Sequence, residues 1–404
     1  MRFDRGVQVF IFNMPVKIYM GAEALASALF GLNNVLIVTD MHMYQSGKVK
    51  YVTDYFGSAG VNYSIFSDVR SDPDTEAVAS GIEVLARTKA ENIVAFGGGS
   101  VADAAKAIKF FAESLDDEKH YRLIVIPTTS GTGSEVSRYS VISDNVKQIK
   151  YPIADDRLLP EAALLDAGLT LSVPPAVTAD TGIDVLTHAI ESFVSKERND
   201  FSDAMAEKAI KLIHKNLHRA YSNPDDIHAR QAVHNAACMA GIAFSNSGLG
   251  LNHAMAHALG AKFHVPHGRA NGIFLTYTMN FNSGCSTELT DTAVRYAEIA
   301  AILDIETSAL RQSTVDAVRA VRILKTSVLR QSALGAVRAV RILIEKLHIP
   351  TSVKDAGISR RDFEAALDPL ADAVMADPTL ASNPIKCSRD EVVDLFRKAY
   401  NGEH

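Results

Sequence analysis

An alternation running through about the first 170 residues does most to narrow the fold. Short apolar runs rich in β-branched residues, VLIVT (35–39), VNYSIF (61–66), IVAF (93–96) and LIVI (123–126), are separated by stretches with helical spacing. Residues 74–89 show that spacing well, with Val78, Ile82, Leu85 and Ala86 on one helical face. Strands apolar on both faces, interleaved with amphipathic helices, predict a parallel sheet covered on both sides. The expected unit is an α/β, Rossmann-like dinucleotide-binding domain. After Pro174-Pro175 the strand-like runs give way to long Ala-rich helical patterns such as 203–217. Adjacent prolines disfavour helix continuation and suit a junction or a helix start. The organisation expected is an α/β N-terminal domain over 1–172 and an all-α C-terminal domain over 173–404.

Composition excludes several classes. The charge sum is 41 − 47 = −6 with His neutral, aromatics make up 7% and Trp is absent, which argues against nucleic acid as a partner. No apolar run reaches the roughly 18 residues of a membrane span, so no membrane partner is expected. Residues 1–15 carry charges on both sides of a short apolar stretch and no small-residue cleavage site, which reads as an opening strand rather than a signal peptide. Cys238, Cys285 and Cys387 are far apart and form no CxxC pair, which disfavours a disulfide framework and points to a cytoplasmic protein. Thirteen histidines are the count that asks for chemistry.

One segment repeats. Residues 307–324 (TSALRQSTVDAVRAVRIL) and 326–343 (TSVLRQSALGAVRAVRIL) agree at 14 of 18 positions with an offset of 19. Two copies do not make a solenoid, so the segment reads as a locally duplicated helix. Arg319, Arg322, Arg338 and Arg341 then belong to a solvated helix face rather than an anion site.

Two loops at strand ends suit a phosphate-bearing cofactor. Gly97, Gly98, Gly99 and Ser100 follow a predicted strand and open a helix, where backbone N–H groups and the helix dipole favour an anion. The loop TTSGTGSE (128–135), carrying Thr128, Thr129 and Thr132, follows the next strand. Asp40 ends the run VLIVT, where a carboxylate can accept from a ribose diol and repel a 2′-phosphate; a helix cap is the alternative.

A metal-binding pattern lies further on. Asp184 and His188 are one helical turn apart, as are His253 and His257, and His264 and His267 follow around Pro266. Three imidazoles and one carboxylate make a set for Fe²⁺ or Zn²⁺, and spacing leaves open which of the four downstream histidines ligate. HAMAH lacks the Glu of the HExxH protease motif, which disfavours a zinc protease. His214, His218, His228 and His234 read as surface residues.

GGGSVADAAK (97–106), TTSGTGSE (128–135), TGIDVLTHAIE (181–191), GLGLNHAMAHALG (248–260) and VPHGRANG (265–272), in this order, resemble the iron-containing (group III) alcohol dehydrogenases. The resemblance runs from about residue 15 to 285 and is looser beyond. It implies the architecture shared with dehydroquinate synthase. It also implies metal ligation by Asp184, His188, His253 and His267, and proton relay near the nicotinamide by His257. By the same resemblance Gly97, Gly98, Gly99, Ser100 and Asp103 form the pyrophosphate loop, Thr128, Thr129, Thr132 and Lys150 contact the cofactor, and Asp40 selects NAD(H). His264 has no role in that pattern beyond packing or capping.

ISDNVKQIKYPI (142–153) and DVLTHAIESFVS (184–195) resemble most the family members that handle 1-propanol in propanediol-utilising bacteria. This implies NAD(H)-linked interconversion of short primary alcohols and aldehydes, propanal and 1-propanol in particular, on Fe²⁺ or Zn²⁺. It further implies a homo-oligomer, a dimer or larger, in the cytoplasm or inside a bacterial microcompartment with its proteins as partners. Two rival readings remain. A dehydroquinate-synthase-like lyase needs Lys and Arg converging on an acidic substrate, which these motifs lack, and an inactive assembly partner has no need of an intact metal set.

Overall fold

The structure, a computed structural model, describes residues 11–145, 149–305 and 319–403, without the side chains of 149, 150 and 319–325. Its strands are β1 (Lys17–Met20), β2 (Val35–Asp40), β3 (Tyr63–Val69), β4 (Asn92–Gly97), β5 (Arg122–Pro127), β6 (Tyr139–Asp144), β7 (Ile149–Ala154) and β8 (Ala162–Leu165). Six of them form one sheet in the order β1-β8-β5-β4-β2-β3, with every pairing parallel. The remaining two, β6 and β7, pair as an antiparallel hairpin.

Helices α1 (Leu25–Ala28), α2 (Met41–Gln45), α3 (Lys50–Ala59), α4 (Thr75–Thr88) and α5 (Gly99–Leu115) accompany the sheet. Alternate strand residues sort to opposite faces, as strand geometry requires. Leu36, Val38, Ile93, Ala95, Leu123 and Val125 pack with Leu85 and Ile108 from α4 and α5. Val35, Ile37, Val94, Phe96, Ile124 and Ile126 pack with Val52 and Phe56 from α3. Both faces are covered, which is why the strand runs are continuously apolar.

The sequence pattern missed two strands of the sheet. Lys17–Met20 is only four residues, and Ala162–Leu165 reads AALL, a composition equally suited to a helix. Of the opening strand expected over 1–15, residues 1–10 lie outside the described ones; 11–15 carry no strand, and β1 starts at Lys17.

Past Thr170 the described residues are helical: α6 (Pro175–Val194), α7 (Asp200–Ser222), α8 (Ile227–Ser247), α9 (Leu251–Phe263), α10 (His267–Ser283), α11 (Ala293–Ile302), α12 (Arg319–Lys346), α13 (Arg360–Ala376) and α14 (Arg389–Asn401). Pro175 sits at the first position of α6, where its missing N–H costs nothing. One core joins Ile183, Ile190, Ile210, Leu217, Ala240 and Leu343. A second joins Leu251, Leu259, Phe363, Leu370 and Phe396. Helix α10 serves both, giving Leu275 and Met279 to the first and Ile273, Phe274 and Tyr277 to the second. The second copy of the repeat supplies Ala333, Ala336, Val337, Val340 and Leu343 of the first core. Most of the first copy lies outside the described residues. No helix among the described residues is long and apolar enough to cross a membrane.

The two halves meet backbone to backbone. Gly133, at φ +61° in the loop after β5, lies so close to α8 that an added Cβ would fall 2.6 Å from Gly241 Cα.

Candidate metal centre and cofactor edge

The chain runs from β2 outward to β3 and then crosses back to β4 on the other side of β2, so the sheet order reverses between β2 and β4. Crevices that take nucleotides open at such a point, outside the carboxyl ends of the strands. Asp40, the loop from Gly97 and the loop from Thr128 all emerge at that edge, with Gly97 paired to Pro127 across adjacent strands. Packing accounts for two of the three glycines. A Cβ at Gly97 would meet Val101 at 2.5 Å and one at Gly99 would meet Thr132 at 2.5 Å, while one at Gly98 would make only ordinary contact with the Thr129 side chain, at 3.4 Å. Gly98 caps the 17-residue helix α5 without any side-chain bond. Beside it, Thr128 Oγ1 is buried with no hydrogen-bond partner among the described residues. A helix N-terminus with no side-chain cap, next to an orphaned hydroxyl, fits a phosphate-bearing cofactor.

The other expected cofactor residues divide. The Asp40 carboxylate caps α2, accepting from Met43 N at 2.9 Å, and the residue stays partly exposed at the strand end. Thr129 is half-buried and Thr132 exposed along the loop. Ser100 donates to the Ser71 carbonyl. Asp103 is engaged internally: Ser134 Oγ donates to it at 2.5 Å and Val141 N at 3.1 Å. Buried Lys106, drawn down to about 8 by desolvation, donates to Ser134 Oγ at 2.8 Å and the Tyr139 carbonyl at 2.8 Å. Asp103 and Lys106 thus fasten the second loop and the hairpin to α5. Lys150 lies on β7 opposite Ser143, and its side chain is outside the described ones.

On the helical side, ligand atoms of Asp184, His188, His253 and His267 all lie within 4.8 Å of one another. They come from α6, α9 and the first residue of α10. Asp184 Oδ1 stands 3.4 Å from His267 Nε2, 3.7 Å from His253 Nε2 and 4.0 Å from His188 Nε2. The glycine after His267 is what permits this, because a Cβ at Gly268 would sit 1.9 Å from the Asp180 carbonyl of α6. Asp184, His188 and His253 are buried and His267 is open on one side. Burial pushes His188 down to about 3 and His253 well below its ordinary range. Neutral imidazoles keep the lone pairs that a divalent metal takes, so the set fits an N₃O site.

Several residues that sequence reasoning passed over complete the site. Glu191, one turn beyond His188, pairs with His253 Nδ1, and burial raises it to about 8. Asn271, one turn beyond His267, donates to Asp184 Oδ1 at 2.7 Å. Both could have been found from i+3 and i+4 spacing to a suspected ligand. Asp377 could not, being 120 residues from its partner: its Oδ2 lies 2.8 Å from His257 Nδ1. Burial pushes Asp377 up, but hydrogen bonds from His257 and Thr379 outweigh it and hold the carboxyl below its usual range. The His257 ring stacks on His267 at 5.3 Å and stays part-exposed. His264 is exposed and ends α9 in the left-handed conformation, a cap.

His218 and His228 are exposed and His214 is half-buried, but His234 corrects the surface reading. It is 1% exposed on α8, with Nδ1 2.8 Å from Ser130 Oγ. Burial lowers it from 6.5 to about 4. Between those values the unfolded chain binds a proton that the folded chain refuses, so stability is retained above pH 6.5 and falls as pH drops toward 4. The effect is about 3 kcal/mol. Thermal unfolding followed across that window should show a shallower pH slope in His234→Gln than in the parent, and equal slopes would rule the account out.

Comparison with known proteins agrees with this geometry. The iron-containing alcohol dehydrogenase model matches residues 15–167. The model of the C-terminal part of the Fe-containing alcohol dehydrogenase family matches 178–337 and again 325–400, overlapping within the second copy of the repeat. An NADPH-dependent butanol dehydrogenase of Clostridium saccharobutylicum is 36% identical over 97% of this chain and 98% of its own. The 1-propanol dehydrogenase PduQ of Salmonella typhimurium is 36% identical over 96% and 99%. The crystal structure of a 1,3-propanediol oxidoreductase superposes with a TM-score of 0.85 at 29% identity, covering 97% of this chain and 100% of that one. The chain belongs to the iron-containing alcohol dehydrogenase family, and is an oxidoreductase working with a metal and a dinucleotide cofactor.

Proposed function

We propose that this alcohol dehydrogenase interconverts short primary alcohols and their aldehydes, 1-propanol and propanal among them, using NAD(H) and Fe²⁺. The observation that carries the reading is the convergence of Asp184, His188, His253 and His267 within 4.8 Å. The 36% identity to a 1-propanol dehydrogenase and to a butanol dehydrogenase supports the substrate class. A divalent ion in this set supplies a Lewis acid for the substrate oxygen, and a nicotinamide supplies or accepts the hydride. Zn²⁺ fits the same donors.

The chain's own residues do the rest. Buried neutral His188 and His253 hold their lone pairs toward the ligand set, with Asp184 supplying the one negative oxygen. Asp377 accepts the Nδ1 proton of His257, which leaves the second ring nitrogen to take the alcohol's proton or return it to an aldehyde. The Gly98 backbone and Thr128 hydroxyl bind phosphate, and Asp40 excludes a 2′-phosphate from the ribose.

Anaerobically purified protein should contain iron and oxidise NADH with C2 to C4 aldehydes. No NADH oxidation after loading with either Fe²⁺ or Zn²⁺ would overturn the reading. Asp40→Ala should raise the ratio of NADPH to NADH kcat/KM about tenfold, equivalent to about 1.4 kcal/mol. A parent enzyme that already prefers NADPH would remove Asp40 from this role.

A further inference from the structure

We propose that Asn271 is a positioning residue of the metal centre, aimed by Asn252 so that its amide holds Asp184 and two imidazoles in a metal-ready arrangement. The inference rests on the metal reading above. Asn271 is fully buried, at 0% exposure. Its Nδ2 donates to Asp184 Oδ1 at 2.7 Å and lies 3.2 Å from both His253 Nε2 and His267 Nε2. A side-chain amide nitrogen has two hydrogens and no acceptor lone pair. One hydrogen is used by Asp184, and the other faces two ring nitrogens that receive it only if they carry no proton. The amide therefore selects the tautomer with the Nε2 lone pair free. For His253 the opposite ring nitrogen gives the same instruction, since its proton is held by Glu191.

An amide serves this purpose only if it cannot flip, and Asn252 prevents that. Asn252 Nδ2 donates to Asn271 Oδ1 at 2.9 Å, so the oxygen of Asn271 points to Asn252 and the nitrogen to the ligands. Asn252 is itself fixed: its Oδ1 accepts from Thr278 Oγ1 at 2.9 Å, and its backbone N donates to Glu191 Oε1 at 2.7 Å. A single buried network thus reaches the ligand set from two sides, through Glu191 to His253 and through Asn271 to Asp184. Partners of this kind orient ligands and typically alter metal affinity by about 10–100-fold.

The test compares parent, Asn271→Leu, Asn271→Ser, Asn252→Leu and the Asn252→Leu/Asn271→Leu double variant, each folded by circular dichroism. Zn²⁺ affinity is read by competition with a chromophoric chelator, and the visible spectrum of the Co²⁺-loaded protein reports ligand geometry. Weaker Zn²⁺ binding by about 10–100-fold in both Asn271 variants, with an altered Co²⁺ spectrum, is expected. Asn252→Leu should weaken binding alone yet add nothing to Asn271→Leu, because it acts only through that amide. Parent-like affinity and spectrum in a folded Asn271 variant would overturn the proposal. Additive losses in the double variant would overturn the aiming role of Asn252. If the parent itself binds neither Zn²⁺ nor Co²⁺, the metal reading fails first and the proposal with it.

Discussion

His253→Ala, purified and dialysed, should hold no metal and turn over no alcohol, while folding normally. His253 is 1% exposed and held at Nδ1 by Glu191, with Nε2 3.7 Å from Asp184 Oδ1. Removing one of four converging donors should cost more than the roughly 10–100-fold attached to an outer partner. The fold survives because Glu191 keeps the bond from Asn252 N to its Oε1 at 2.7 Å, so only Oε2 loses its partner. That loss costs about 1–3 kcal/mol. Metal analysis and a melting curve check this together. The same loss is expected for His267→Ala, and normal metal content in both variants would end the ligand assignment.

His257→Ala should give the opposite separation: full metal content with kcat lower by about 10²–10³-fold, within the range of a lost general acid–base group. Its ring stacks on His267 yet lies outside the converging set. Asp377→Asn extends the test. It keeps the shape but replaces the acceptor at Nδ1, so the ring adopts the wrong tautomer and kcat falls while the metal stays. Undiminished kcat in His257→Ala would remove proton relay from this residue.

The readable parts of the molecule share one property: their cause is local. The strands β2, β4 and β5 are apolar on both faces, and that alone marks them in a linear string. Asp184 with His188, and His253 with His257, announce themselves by one-turn spacing on one helix. β1 and β8 were not readable because four residues of mixed or Ala-Leu composition carry no period. His234 was misread because the neighbouring His228 and NPDD are surface residues, whereas α8 turns His234 inward against Ser130. Asp377 had no local sign at all, since its meaning comes from a partner 120 residues away.

The glycine pair joining the halves has a directional effect. A side chain can be added at Gly133 or Gly241, but none is there to be trimmed, so mutation at that seam has only one available sense. It can wedge the sheet and the helices apart, and it can never draw them closer. The present spacing between the loop after β5 and α8 is therefore a lower limit set by bare backbone. Selection for smaller substrates must then work on the lining of the cleft, because this seam is already at the stop.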